Sequence, residues 1–248
     1  MQDARLDVHA VLGISVGGDH VIRNACGTKL ARLNFQRLYE YRFRDVDQDA
    51  RAAVWAEIGP FIHRYLGEPQ RVLDPAAGRC EFLNSVPAKE RWGVDLVDYA
   101  ESWAEPGVKM LVGDTMTMDL PSDYFDAIWV SNFLEHLATQ EQVSQFLERM
   151  LGRLAPGGRI AIMGPNFRYC AKDYFDCADH NVILTHVGVE EHLYAAGFDI
   201  DRVAPRFLPY SFRGRLPPSP ALTRRYLNLP FAWKLLGKQF LVVGKRPG

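Results

Sequence analysis

Several polar side chains in this sequence each stand directly after a short apolar run, and their spacing suits chemistry. Asp74 ends "RVLD" and opens the turn Asp74-Pro75-Ala76-Ala77-Gly78-Arg79-Cys80. Asp95 ends "RWGVD", 17 residues beyond Gly78, and Leu96 follows it. Asp114 and Thr115 follow "VKMLVG", and Asn132 and Phe133 follow "FDAIWVS". A carboxylate at Asp95 can accept hydrogen bonds from both hydroxyls of a ribose. Asp114 beside a small hydroxyl suits the exocyclic amine and ring edge of adenine. The set reads as a nucleoside cradle.

Charge narrows the choice of nucleoside. A pyrophosphate would be repelled by Asp74 at the mouth of the turn, whereas an ammonium or a sulfonium would be attracted. A dinucleotide also needs several glycines, so that the backbone can approach the phosphates. Only Gly78 stands in this turn. Both points favour S-adenosylmethionine (SAM) over a nicotinamide dinucleotide.

A second group follows the run "RIAIMGP". The segment "FRYCAKDYFDCADHNVILTH" carries Tyr169, Asp173, Tyr174, Asp176, Asp179, His180 and His186. It is read as the acceptor-recognition segment, with Tyr169, Tyr174, Asp176 and His186 as substrate contacts. His180 is the first candidate for a general base, since imidazole titrates near neutral pH. Its alternative is a structural hydrogen bond. His136 in "NFLEHL" is the second catalytic candidate, and a structural role competes there too, shared with Glu135. Tyr39, Tyr41, Arg42 and Arg44 either close over the cofactor or form a solvated helix face. Arg206, Tyr210 and Arg213 either line the acceptor pocket or lie on the surface.

The elements that must position these groups alternate. Strands are expected at "RVLDPA", "RWGVDLV", "VKMLVGD", "FDAIWVSNF", "RIAIMGP", "DIDRVAPRFL" and "KQFLVVGKR". Helices lie between most of them. "EQVSQFLERMLGRLA" places Val143, Phe146, Leu147, Met150, Leu151 and Leu154 on one face, with Pro156-Gly157-Gly158 as its expected stop. "VGVEEHLYAAGF" is another helix, stopped at Gly197. Short apolar runs separated by helices predict an α/β fold, a doubly wound, seven-stranded and mostly parallel sheet. Residues 1–66 are expected to form an arm and helices acting as a lid, with Pro60 kinking or splitting the second helix. Residues 67–248 form the ligand-binding domain, with a Pro-rich elaboration at about 207–237.

Composition closes off other classes. The chain has 248 residues, 48% apolar and 24% charged, with a formal charge of −1. A nucleic-acid binder would show a stronger basic balance. No apolar run approaches the ~18–20 residues of a membrane span, and the first residues lack a basic start followed by an apolar core. Cys26, Cys80, Cys170 and Cys177 are scattered, so free thiols in a reducing cytoplasm are expected. Cys170, Cys177 and His180 do not have a zinc spacing, and no metal is expected. A homodimer is left open.

These residues carry a resemblance. "VLDPAAGRCEFL" resembles the "VLDLGAGTGEFL" of class I SAM-dependent methyltransferases. "GVDLV" is similar to their ribose-binding strand end, and "VGDTMTMDLPSDYFDAIWVSNFLEHL" to their adenine strand and fourth strand. "LERMLGRLAPGGRIAIMGPN" is similar to the next helix and strand. Later segments, among them "PNFRY" and "AWKLLGKQFLVV", resemble a bacterial small-molecule subgroup. The resemblance covers about Arg71 to Arg246. It implies a Rossmann-like fold, SAM as cofactor, S-adenosylhomocysteine as product, and methyl transfer to a small molecule, an oxygen of a sugar, lipid-linked or secondary-metabolite acceptor. It implies cofactor contacts at Asp74, Ala76, Gly78, Asp95, Leu96, Asp114, Thr115, Asn132 and Phe133. Two departures stand out. Ala76 replaces a loop glycine, tolerable if its φ is negative, and Cys80 replaces another, where it is expected to crowd the helix start. They keep open a degenerate binding protein without catalysis. A nucleic-acid methyltransferase is the other alternative, although Ser131-Asn132-Phe133-Leu134 is not the D/N-P-P-Y/F turn of adenine N6 enzymes.

Overall fold

The computed structural model describes residues 35–210 and 219–248. The expectations for the first residues, for Cys26 and for Arg213 lie outside them. Two compact units divide the chain, residues 1–46 and 47–248. In the first, helix α1 spans Phe35–Phe43. In the second, α2 spans Gln48–Tyr65, and its Asp47 cap accepts the Ala50 N–H at 3.0 Å. The helix runs unbroken through Pro60 rather than splitting there. It falls with the sheet, whereas the sequence drew the arm out to residue 66.

The sheet contains β1 (Arg71–Asp74), β2 (Glu90–Asp95), β3 (Val108–Val112), β4 (Phe125–Ser131), β5 (Leu154–Pro165), β6 (Asp199–Ala204) and β7 (Gln239–Lys245). Their order is β3-β2-β1-β4-β5-β7-β6. Strands β1 to β5 pair in parallel, and β7 runs antiparallel to both β5 and β6. The expected seven-stranded, mostly parallel sheet is present.

Side-chain alternation builds two cores, one on each face. Leu73, Ile128, Val130, Ile160, Ile162, Phe240 and Val242 point to one side. There α4 (Gln140–Leu151) supplies Val143, Phe146, Leu147 and Met150, and α6 (His186–Ala195) supplies Val189 and Leu193. Val72, Ala127, Trp129, Ala161, Met163, Leu241 and Val243 point to the other. That face receives Val54, Trp55, Ile58 and Ile62 of α2 and Phe82 and Leu83 of the short α3 (Glu81–Ser85). Each Val, Leu, Ile, Phe or Met among them contributes roughly 1.5–3 kcal/mol by leaving water. The two cores together fix which strand ends stand side by side.

Pro156-Gly157-Gly158 does not end a helix. α4 stops at Leu151 with Gly152 as its cap, and the Pro-Gly-Gly run lies inside β5. Gly157 there has φ +76°, and a Cβ on Gly158 would come within 2.9–3.1 Å of the carbonyl oxygens of Phe125, Asp126 and Ala155. The glycines let the start of β5 press against β4. The segment after β5 forms α5 (Phe167–Cys170), capped by Asn166, and a turn at Tyr174–Asp176. The late elaboration holds two helices that each begin with proline, α7 (Pro220–Leu227) and α8 (Pro230–Leu236). Among the described residues no helix is long and apolar enough to cross a membrane.

Candidate active site

The turn after β1 is held from below and from the side. Asp74 is buried, and its Oδ1 accepts the Ala76 N–H at 3.1 Å. It therefore lies beneath the turn, not at its mouth as expected from sequence. Burial pushes its carboxyl up to about 8, and the neighbouring Asp95 and Glu81 act in the same direction. The Gly78 N–H donates to Asp95 Oδ2 at 2.7 Å, and the Val97 N–H to Asp95 Oδ1 at 3.1 Å. Burial also raises the Asp95 carboxyl above its ordinary value.

The two substituted glycine positions behave differently. Ala76 is not among the residues with positive φ, so its methyl group costs no strain. Cys80 has φ +56° and is fully buried. Its thiol points into the core, where Sγ lies 3.5 Å from the Ala100 carbonyl oxygen and 3.6 Å from Met110 Sδ. It does not crowd the cleft. The cost falls on the backbone, about 1–2 kcal/mol for a left-handed residue with a Cβ. Gly78, with φ +53°, has nothing within 4 Å of its Cβ position.

The residues fit SAM. Each Asp95 oxygen accepts one loop N–H and keeps a lone pair for a ribose hydroxyl. Asp114 Oδ1 accepts the Met116 N–H at 2.9 Å, which fixes the carboxylate after β3. Thr115 Oγ1 beside it is buried and has no hydrogen-bond partner, a polar atom that an adenine edge would satisfy. Leu96, 53% exposed, offers an apolar surface next to Asp95. Asn132 is exposed with φ +49°, its N–H bound to the Met163 carbonyl at 2.9 Å. Phe133 packs against Phe146, ring centroids 5.1 Å apart. Ionised carboxylates here gain from a cationic ligand.

The second group gathers beyond β4 and β5. The two histidine rings of His136 and His180 meet edge to face at 5.0 Å. His136 Nδ1 lies 3.0 Å from the Asp179 carbonyl oxygen and 3.3 Å from Asp179 Oδ2. Glu135 is buried beneath, and its Oε2 comes within 3.4 Å of a Cβ built on Gly164 in β5. One potential ligand atom from each of Glu135, His136 and His180 lies within 4.8 Å of the others, and the same holds for Cys177, Asp179 and His180. The sequence reading tested only Cys170, Cys177 and His180 by spacing. The residues that meet come from two separate strand ends. The available signal was an acid–histidine dipeptide after each of two neighbouring strands.

Other candidates sort by exposure. Tyr174 is fully buried; its hydroxyl donates to the Val182 carbonyl at 2.6 Å and accepts the Leu184 N–H at 3.1 Å. With no surface and both bonds spent, it supports the segment and does not touch an acceptor. His186 is buried, with Nδ1 2.9 Å from Asn166 Nδ2, and burial lowers its pKa. It too is a support. Asn166, fully buried, also donates to the Pro205 carbonyl at 2.8 Å and ties the segment to β6, a role not read from sequence. Tyr169 is 36% exposed, with the Arg206 guanidinium 4.9 Å from its ring centre. Asp176 is exposed. Tyr210 lies 6.5 Å from His180, ring to ring, and burial raises its phenol pKa. In α1, Tyr41 is exposed with the Arg44 guanidinium 3.9 Å over its ring.

Residues 73–162 match the family model described as a methyltransferase domain. No curated protein matches the sequence. Solved structures do. A SAM-dependent methyltransferase from Archaeoglobus fulgidus is 21% identical with a TM-score of 0.60, over 86% of this chain and 100% of that one. A SAM-dependent methyltransferase from Thermotoga maritima, a possible histamine N-methyltransferase, is 17% identical with a TM-score of 0.60, over 86% and 96%. The [4+2]-cyclase SpnF is 17% identical with a TM-score of 0.55, over 77% and 80%. The fold is that of the class I methyltransferases. The chain thus shares its fold with these enzymes, and residues 73–162 within it match a methyltransferase domain.

Proposed function

We propose that this chain is a SAM-dependent methyltransferase, with SAM as cofactor and S-adenosylhomocysteine as product, and that it acts on an oxygen of a small-molecule acceptor, a sugar, lipid-linked or secondary-metabolite hydroxyl. The observation that carries this reading is the imidazole pair His136–His180, at the ends of the strands next to the cofactor cradle. Asp95 and the Gly78 turn would hold the ribose, Asp114 and Thr115 the adenine, with Leu96, Asn132 and Phe133 beside them. β4 directly neighbours β1, and β5 follows, so groups beyond them face the methionine end of a nucleoside laid over β1 to β3. SAM supplies a methyl group on a sulfonium, open to in-line displacement. Holding an acceptor oxygen against it supplies much of the rate. A hydroxyl acceptor must also lose a proton, and an imidazole of the pair would take it. Tyr169 and Asp176 are the accessible side chains that would meet the acceptor.

A nearly neutral chain without a basic block supports a small acceptor over a nucleic acid. Buried free thiols at Cys80 and Cys170 suit a reducing cytoplasm. The test is release of S-adenosylhomocysteine across an acceptor panel of phenols, sugar hydroxyls, carboxylates and amines, with a short oligonucleotide included. Turnover confined to hydroxyl acceptors is expected. Turnover of amines alone, or of the oligonucleotide alone, overturns the reading.

A further inference from the structure

Five side chains of metal-ligating type converge beyond β4 and β5. Glu135 and His136 come from the turn after β4, and Cys177, Asp179 and His180 from the loop after β5. The backbone stitches the two segments together. The Asn181 and Val182 N–H groups donate to the Glu135 carbonyl at 2.8 and 3.1 Å, and Asn181 Nδ2 donates to the His136 carbonyl at 3.1 Å. His180 is wedged between the rings of His136 at 5.0 Å and Tyr174 at 4.9 Å. The cluster is therefore built into the fold, not a chance meeting of mobile surface groups.

The bonding of His136 fixes its tautomer. Both neighbours of Nδ1, the Asp179 carbonyl and Asp179 Oδ2, are acceptors. Nδ1 therefore carries the hydrogen, and in the neutral ring Nε2 keeps the lone pair. A carboxylate behind a histidine is the arrangement that orients an imidazole toward a metal. Ligand atoms around an ion at roughly 2.1 Å sit about 3–4 Å from one another. The 4.8 Å limit within which Glu135, His136 and His180 already stand is close to that. Glu135 and Asp179 are 1% and 3% exposed, so the acidic groups of the cluster are enclosed with the imidazoles and not spread over the surface.

We propose that Glu135, His136 and His180 bind one divalent transition-metal ion, with Asp179 as the residue that orients His136. Two imidazoles and one carboxylate suit zinc, manganese, iron or cobalt better than magnesium or calcium. Three protein ligands leave positions for a further oxygen. An acceptor hydroxyl placed there loses its proton more readily, because the ion stabilises the alkoxide. The imidazoles then serve as ligands in place of the free-base role proposed above, and the proton of the hydroxyl passes to solvent water. This role for the ion rests on the methyl-transfer reading; the binding of the ion does not.

The test uses the full chain, freed of metal by a chelator and titrated with Co²⁺ alone, then with Zn²⁺ to displace it. One equivalent of Co²⁺ with visible d–d absorption, displaced by Zn²⁺, is expected. Glu135→Gln and His180→Ala should each weaken binding at least tenfold, and Asp179→Asn about 10–100-fold. Cys177→Ser should leave affinity and spectrum unchanged. Absence of stoichiometric binding to the native chain overturns the proposal, as does affinity unchanged in Glu135→Gln. A thiolate-to-cobalt charge-transfer band abolished in Cys177→Ser overturns it too, since it would assign the ion to Cys177, Asp179 and His180. A parallel thermal shift with SAM separates the outcomes: SAM binding without metal sinks only the metal site, and metal binding without methyl transfer sinks only the acceptor reading.

Discussion

Gly78 donates its backbone N–H to Asp95 Oδ2 at 2.7 Å, joining the turn after β1 to the end of β2 across 17 residues of chain. The same carboxylate holds the Val97 N–H, and in the proposed function it also holds the ribose. Asp95→Ala therefore removes a ligand contact and a loop anchor together. A native-state ligand at ~100 times its dissociation constant adds roughly 2.7 kcal/mol of stability. In the wild type, saturating SAM should raise the melting temperature by about 5–10 °C. The rise should vanish in Asp95→Ala. An undiminished rise in the variant would place the ribose elsewhere.

Asp74 sets a pH dependence. Its carboxyl is raised to about 8 in the folded chain by burial, against an ordinary 3.8. Its stabilising contribution is complete below about pH 3.8 and is lost as pH rises through about 8, because the folded state binds a proton that the unfolded state has released. The slope is up to about 1.4 kcal/mol per pH unit. Urea unfolding from pH 5 to 9 should show the wild type losing stability relative to Asp74→Asn as pH rises. A difference that stays constant with pH would mean the folded carboxyl is already ionised.

Tyr174 tests the division between support and substrate contact. Tyr174→Phe leaves the Val182 carbonyl and the Leu184 N–H without their buried partner. The expected loss is about 1–3 kcal/mol in denaturant unfolding. At a temperature where the variant remains folded, KM for the acceptor should be unchanged. A raised KM with unaltered stability would return Tyr174 to the acceptor site.

Gly158→Ala should cost about 1–3 kcal/mol, because the new methyl group meets three carbonyl oxygens that belong to the backbone and cannot rotate away. Gly78→Ala meets no atom, and its cost is the left-handed backbone alone, about 1 kcal/mol. Melting curves of the two variants rank them.

Thiol labelling is a further check. Burial pushes the Cys80 and Cys170 thiols up to about 12, and both side chains are enclosed. Cys177 is partly exposed. At pH 8 an alkylating reagent should modify Cys177 well before either of the others, as read by peptide mass spectrometry. Early modification of Cys80 would mean that the turn opens readily.

The seven strands and their mostly parallel sheet were legible because they depend on local pattern. Apolar runs mark β1 to β5, and Asp74, Asp95 and Asp114 mark the ends of the first three. The Pro-Gly-Gly run misled because a helix stop and a close strand approach both call for glycine; only the neighbouring carbonyls of Phe125 and Asp126 distinguish them. Tyr174 misled for a similar reason. A tyrosine in a polar segment looks available until Val182 and Leu184 are seen to occupy its hydroxyl. The cluster of Glu135, His136, Asp179 and His180 was out of reach by spacing, since it forms between residues 43 and more positions apart and depends on β4 lying beside β5.

The position of β7 bears on how the molecule comes into being. It is the last of the seven strands to be synthesised, yet it lies between β5 and β6 and bonds to both. During translation, β5 waits with an open hydrogen-bonding edge while residues up to 238 leave the ribosome. β6 has no neighbour at all until β7 arrives. A nascent chain stalled before Gln239 would thus carry a cofactor cradle that is nearly built, beside a raw sheet edge that invites chaperones or a second chain.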